Sequence, residues 1–323
     1  IHGYENLPVE DSMNVVVVPE QPELKATELV RNSLVGAGFI ETISHTLVSD
    51  QAASPFLESG RSSLRVNDER AGGEPILRPS VLPSLLEVAR RNRDRAGCIV
   101  RAFEIAAVFD EAGEEHRERQ MLGLLMDGSA DADPAEQYRS LRGCVEELSH
   151  ILLGDRRALV CTPDPEGRAS WLAPGAQIAL DDRPLGTMGL LRTQIAGQFD
   201  ARGPIAVAEL ELRPLLDRYP PMRQPEPLPS FPSIERDLSV LLAESTDWEK
   251  VAQTVRGAGD ELLESVQFLT TWRGKRVGPD RKSVTLRLQF RDGSRTLRHE
   301  EVDPQVESIT RALVEQLGGE IPS

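Results

Sequence analysis

The chain has 323 residues, 39% of them apolar and 28% charged, with a net charge of −15. The length suggests about two domains and the composition excludes general disorder. No apolar run approaches the roughly 20 residues of a membrane span, and the acidic balance argues against indiscriminate attraction to nucleic acid.

The sequence opens at Ile1 without a Met or a signal-peptide pattern and reads as a piece of something longer. The first predicted element is a helix from about Glu23 to Val35, closed by Gly36 and Gly38. A strand over Phe39 to Val48 follows. Leu82, Leu85, Leu86 and Ala89 recur at i, i+3, i+4 and i+7, marking one face of a helix after Pro79. Ile99 to Phe109 is apolar at nearly every position, as in a strand covered on both faces, and Met121 to Met126 is its expected neighbour. A helix from about Ala135 to Leu153 would turn Cys144, Leu148, Ile151 and Leu152 inward. Strands at Gln177 to Leu180, Leu185 to Leu191 and Ile205 to Leu212 complete a mostly antiparallel sheet, an α+β domain. Cys98, Cys144 and Cys161 are widely spaced with no CxxC pair, so they read as reduced, buried thiols of a cytoplasmic protein. The histidines form no ligand pattern.

Seven prolines between Pro214 and Pro232 remove backbone donors and fix φ, predicting a stiff linker. The expected division is residues 1–213, a linker over 214–229, and a module over 230–323. In that module Asp237 to Leu242 is a strand. Thr246 and Glu249 read as a capping box for a helix whose apolar face is Trp248, Val251, Ala252 and Val255. Val266, Phe268, Thr270 and Trp272 alternate along a second strand. Val284, Leu286, Leu288 and Phe290 alternate along a third, with Thr285, Arg287, Gln289 and Arg291 on its other face. Asp303 is the expected cap of a last helix, with Pro304 at its first position and Gly318 and Gly319 stopping it. A short strand near Ile321 would finish a ferredoxin-like β-α-β-β-α-β plan, with helices on one sheet face and an open, partly basic other face. This plan is a common RNA-binding platform. Between Arg273 and Arg298 nine basic residues stand against Asp280 and Asp292, so that run carries +7 and the remainder −22. A focused basic patch on an acidic body suits a selective polyanion binder.

These segments carry a resemblance. Ile1 to Pro8 (IHGYENLP), Gly38 to Val48 (GFIETISHTLV), Leu77 to Leu86 (LRPSVLPSLL) and Phe103-Glu104-Ile105 resemble, in order and spacing, stretches of the bacterial phenylalanine–tRNA ligase β-subunit family. So do Phe231-Pro232 with Arg236-Asp237-Leu238, Lys282-Ser283, and Arg295-Thr296-Leu297 with Glu300-Glu301-Val302. The resemblance runs nearly end to end and implies the C-terminal half of such a subunit. That half would comprise a class-II-synthetase-like but non-catalytic antiparallel domain and a ferredoxin-fold anticodon-binding domain. It also implies a heterotetramer of two α and two β subunits, and phenylalanine tRNA as a partner. ATP and magnesium would act in the assembled enzyme and none would bind here, because catalysis lies on the α subunit and the β subunit's magnesium carboxylates lie upstream. The family's Asp-Val-Tyr in the second C-terminal strand is Thr270-Thr271-Trp272 here, which removes an acidic contact while keeping an aromatic face.

The expected RNA contacts are Trp272, Arg273, Lys275, Arg276, Arg287 and Arg291. Trp272 is either core or a base-stacking platform. Arg287 and Arg291 meet RNA if their face is open, or form edge salt bridges if helices cover it. No catalytic or metal residue is expected. Arg101 and Glu104 have the spacing Arg-x-x-Glu, which places them on opposite strand faces rather than together as an ATP-binding pair. Glu104 then reads as a structural carboxylate bonded inside the sheet. Gly186-x-x-Gly189-x-x-Arg192 reads as a turn and strand, and Gly36-Ala37-Gly38 as a helix stop. The alternative function is a ferredoxin-like RNA- or protein-binding adaptor unrelated to aminoacylation.

Overall fold

A computed structural model describes residues 3–4, 20–67, 75–155, 158–164, 167, 169–221, 228–274 and 277–322. The chain divides into two compact units, 1–223 and 224–323.

In the first unit α1 (Pro22–Gly36) starts with Pro22 in its first turn and buries Ala26, Val30 and Leu34, one stripe at a spacing of four. The expected strand over Phe39 to Val48 is broken in two: β1 (Ile40–Glu41) and β2 (Leu47–Val48). The break has a local cause. The Thr42 backbone N–H donates to the Phe103 carbonyl, and the backbone N–H and hydroxyl of Ser44 both donate to the Glu104 carboxylate. Satisfying that buried charge bends the chain off the sheet edge. After α2 (Asp50–Ala53), β3 (Ile76–Leu77) pairs with β2 in a two-stranded sheet.

Next come α3 (Leu82–Ala96), β4 (Arg101–Ala112), β5 (Glu115–Asp127) and α4 (Pro134–Leu153). β4 starts two residues later than the apolar run suggested and continues to the hairpin with β5. The remaining strands are β6 (Leu159–Pro163), β7 (Leu172–Leu180), β8 (Arg183–Leu191) and β9 (Ile205–Glu211), with α5 (Thr193–Gln198) between the last two. The seven-stranded sheet has the order β1-β4-β5-β9-β8-β7-β6, and only β1 runs parallel to its neighbour. β4 is covered on both faces, as its composition required. Phe103, Leu122 and Ala208 face one core with α1 and α4, while Ala102, Leu125 and Val207 face the other with α3. Of the residues expected inward on α4, Leu148 and Leu152 are buried but Cys144 and Ile151 are only half so. Cys98 is exposed and Cys161 half-buried, against the expectation of buried thiols; none of the three is in a disulfide.

α6 (Arg213–Leu216) lies inside the proline-rich stretch, with Pro214 in its first turn and Leu215 and Leu216 in the first unit's core. A proline in a first helical turn sacrifices no bond, which is why the stretch does not begin as pure linker. Pro225 and Pro227 lie outside the described residues.

The second unit consists of β10 (Ile234–Ala243), α7 (Trp248–Ala258), β11 (Leu263–Trp272), β12 (Arg281–Phe290) and α8 (His299–Leu317). Its antiparallel sheet has the order β10-β12-β11, and one core joins Val240, Leu286 and Phe290 to Val251 and Val255 of α7 and Ile309 and Leu313 of α8. Three local expectations are corrected. The α7 cap is Asp247, and Glu249 points along the helix to Gln253 and Arg256 rather than back to Thr246. α8 starts five residues early, where Glu301 accepts the Arg298 backbone N–H, so Pro304 sits inside the helix. The strand expected near Ile321 is a single bridge between Leu241 and Glu320.

Candidate nucleic-acid interface

Register decides what the open face of the second unit presents. β12 alternates strictly, and Asp237 opposes Arg287 while Ser239 opposes Thr285 on β10. On β11 the register shifts between Phe268 and Thr270, so Leu269 is an extra residue. A one-residue bulge reverses every side chain beyond it. Phe268 pairs with Leu286 and packs edge-on against Trp248 of α7, with ring centroids 5.4 Å apart. Trp272, which unbroken alternation would put on that same face and which could be core or platform, opposes Ser283 on the helix-free face and is 49% exposed.

The open face therefore reads, across β11, β12 and β10, as rows of Trp272–Ser283–Leu241, Thr270–Thr285–Ser239, Gln267–Arg287–Asp237 and Ser265–Gln289–Glu235. Along β12 the indole row and the Arg287 row are about 14 Å apart, at roughly 3.4 Å per residue. Between them lie hydroxyls, and Ser239 shares a hydrogen bond with Thr285 at 2.9 Å. The indole folds over the next loop: a Cβ added at Gly274 would sit 2.6 Å from its Cζ2.

Of the expected arginines, Arg273, Arg287 and Arg291 are at this face, and each is already engaged. Nε and Nη2 of Arg273 donate to both oxygens of Glu244 at 2.6–3.0 Å, beside an open hollow lined also by Gly274 and Pro279. Nε and Nη2 of Arg287 donate to Asp237 at 2.7 and 2.9 Å, and Nη1 lies 3.0 Å from Glu235. Arg291 donates to Glu264 at 2.8 Å and to the Phe231 carbonyl. The pairing holds the carboxyls of Glu244 and Asp237 below their ordinary range, through the hydrogen bonds from Arg273 and Arg287 respectively. Lys275 and Arg276 lie outside the described residues. The expected link between an open face and unpaired arginines does not hold for Arg287 and Arg291: their face is open, and both form salt bridges on it.

Within the expected basic run, the three described arginines of the open face do not stand free. Three arginines here face four carboxylates drawn from β10, β11 and the turn after β10. Counting along the chain missed those acids because they are distant in sequence. The signal was present in the alternation, which puts Glu235 and Asp237 on the same parity as the open face.

In the first unit the polar residues of the family-like segments bind one another. Glu104, 2% exposed, takes Arg78 Nη1 at 2.9 Å and the Ser44 hydroxyl at 2.6 Å. Arg101 lies on the opposite strand face, near the Ala37 carbonyl, so the two do not form an ATP-binding pair. Glu209 accepts from the Ser80 hydroxyl at 3.0 Å and the Val81 backbone N–H at 2.6 Å. Burial pushes its carboxyl up to about 7 against those bonds. Sequence reading did not single out Glu209, an acidic residue inside an apolar strand and therefore visible as an anomaly. At the sheet edge, Ile40 is 62% and Ile43 97% exposed.

Among the described residues no group of three His, Cys, Asp or Glu is placed to hold a metal ion, and no helix is long and apolar enough to cross a membrane.

The family model for the phenylalanyl tRNA synthetase beta chain CLM domain matches residues 10–212, and that for the ferredoxin-fold anticodon binding domain matches residues 229–322. The phenylalanine–tRNA ligase beta subunit of Symbiobacterium thermophilum is 32% identical over 311 residues, covering 91% of this chain and 34% of its own length. That of Salinibacter ruber is 31% identical over 99% of this chain and 41% of its own length. Among solved structures, a pyrrolysyl tRNA synthetase from Desulfitobacterium hafniense is similar at a TM-score of 0.48 and 18% identity, over 60% of this chain and 65% of that one. The chain thus spans between a third and somewhat over two fifths of the length of these curated relatives.

Proposed function

The chain belongs to the phenylalanyl-tRNA synthetase β-chain family, and from that membership we propose that it supports the attachment of phenylalanine to its tRNA in two ways. The unit before the proline-rich stretch holds the α subunit, and the unit after it binds the anticodon region of the tRNA. ATP and magnesium would be handled by the rest of the cytoplasmic assembly, a heterotetramer of two α and two β subunits. Arg101 and Glu104 do not fit ATP as a binding pair, since Glu104 is engaged by Arg78 and Ser44 and faces away from Arg101.

The observation that carries the RNA half is the position of Trp272. A half-exposed indole at the end of an open sheet face, bordered by hydroxyls, is a surface on which an unstacked loop base can lie and be read at its edge. Arg273, Lys275, Arg276, Arg287 and Arg291 would hold backbone phosphates around it. For the α-subunit half, support comes from the exposed edge strand β1 with Ile40 and Ile43.

A titration of the full chain with phenylalanine tRNA and an anticodon-swapped transcript, at two salt concentrations, tests the reading. Preference for the first is expected. Equal, weak binding of both would overturn specific readout by this chain.

A further inference from the structure

The open face carries its cations in a closed form. Arg273, Arg287 and Arg291 contribute three positive charges, while Glu235, Asp237, Glu244 and Glu264 contribute four negative ones within ion-pair distance. These seven groups sum to −1, so the three guanidinium groups are neutralised where they stand, in a chain of net charge −15. To engage Arg287, a phosphate must displace Asp237 from two nitrogens and Glu235 from the third. To engage Arg273 it must displace the two-oxygen contact of Glu244. Exchange of one oxyanion for another gains little, because the released carboxylate keeps its charge beside the incoming one. The hydroxyl rows and Trp272 carry no such competitor.

Resting on the RNA-binding reading above, we propose that Glu235, Asp237 and Glu244 are specificity-determining residues. They withhold the guanidinium groups of Arg287 and Arg273 from any polyanion that does not also supply bases to Trp272 and the neutral rows. Affinity for RNA then depends on base contacts, and phosphate contacts follow them.

The test compares the full chain with the triple variant Glu235→Gln/Asp237→Asn/Glu244→Gln. A control, Glu300→Gln/Glu307→Gln/Glu315→Gln, gains the same charge on α8, on the other side of the sheet. Retention on heparin probes polyanion binding without bases. The triple variant is expected to elute at higher salt than both the wild-type chain and the control. Its log-log salt dependence for RNA should steepen by about 1.4, at roughly 0.7 per freed arginine for single-stranded contacts. Heparin retention and salt slope equal to the control's, with an unchanged circular dichroism spectrum, would overturn the gate. The heparin arm needs no tRNA, so a wild-type chain without anticodon preference removes the function reading while the gate is still decided.

Discussion

Trp272 and Glu209 show how one residue's surroundings set its task. Truncating the half-exposed indole removes no core, so Trp272→Ala is expected to leave thermal stability nearly unchanged while weakening tRNA binding. Base–aromatic stacking of about 1–3 kcal/mol corresponds to a loss of roughly 5- to 150-fold. A titration beside a melting curve checks both halves; an unchanged affinity would remove the stacking role. Glu209 works in the opposite sense, through burial. Its carboxyl is held at about 7 in the fold against an ordinary 4.5. Below pH 4.5 it is protonated in both states and its contribution to stability is fully present. As pH rises from there to 7 the unfolded state ionises first, and about 3 kcal/mol is lost progressively. Glu209→Gln cannot ionise. Its stability relative to wild type is therefore expected to rise by about that amount between pH 4.5 and 7, measured by urea unfolding. A pH-independent difference would refute the shift.

At the scale of elements, β11 shows what alternation in a sequence delivers and what it misses. Val266 and Phe268 lie on the helix-covered side as their spacing indicated, because hydrophobic period two reports burial directly. The bulge at Leu269 has no such signature, since an extra residue in a strand looks like any other residue. Trp272 was consequently ambiguous until the register was known. Deleting Leu269 should remove the bulge while keeping Thr270 opposite Thr285 and Trp272 opposite Ser283, so the indole stays on the open face. The expected result is unchanged RNA preference and tryptophan emission. A blue shift of the emission with loss of preference would show that the bulge itself, rather than the pairing beyond it, holds the indole outward. Helix starts were similarly opaque. Asp303-Pro304 has the composition of a start, yet the carboxylate of Glu301 on the Arg298 N–H fixed the start of α8 five residues earlier.

For the whole molecule, the two-unit organisation and the α+β character were legible, because proline density and apolar periodicity act locally and additively. The electrostatics of the open sheet face were not, because ion pairs such as Arg287 with Asp237 join positions 50 residues apart. The family-like segments gave the family, but Arg78, Ser80 and Glu104 within them proved to brace the sheet. The outward-facing β1 edge gives the partner reading a direct check. Ile40→Asp with Ile43→Asp is expected to abolish co-purification with the α subunit while leaving the melting temperature within a degree or two, since neither side chain is buried. Persistent co-purification would move the contact elsewhere. One further consequence follows from the order β10-β12-β11. β11 borders its sheet, so among the described residues one row of its backbone donors and acceptors has no strand beside it. A flat border ten residues long would invite another molecule to extend the sheet, the first step of aggregation. Here register breaks after Leu263 and after Phe268 divide the border into pieces too short and too twisted for a straight strand to zip along. The irregularity that turns the indole outward therefore also breaks up the border along which a second copy would pair, and a straight strand that kept Leu269 in the ladder would lose both properties.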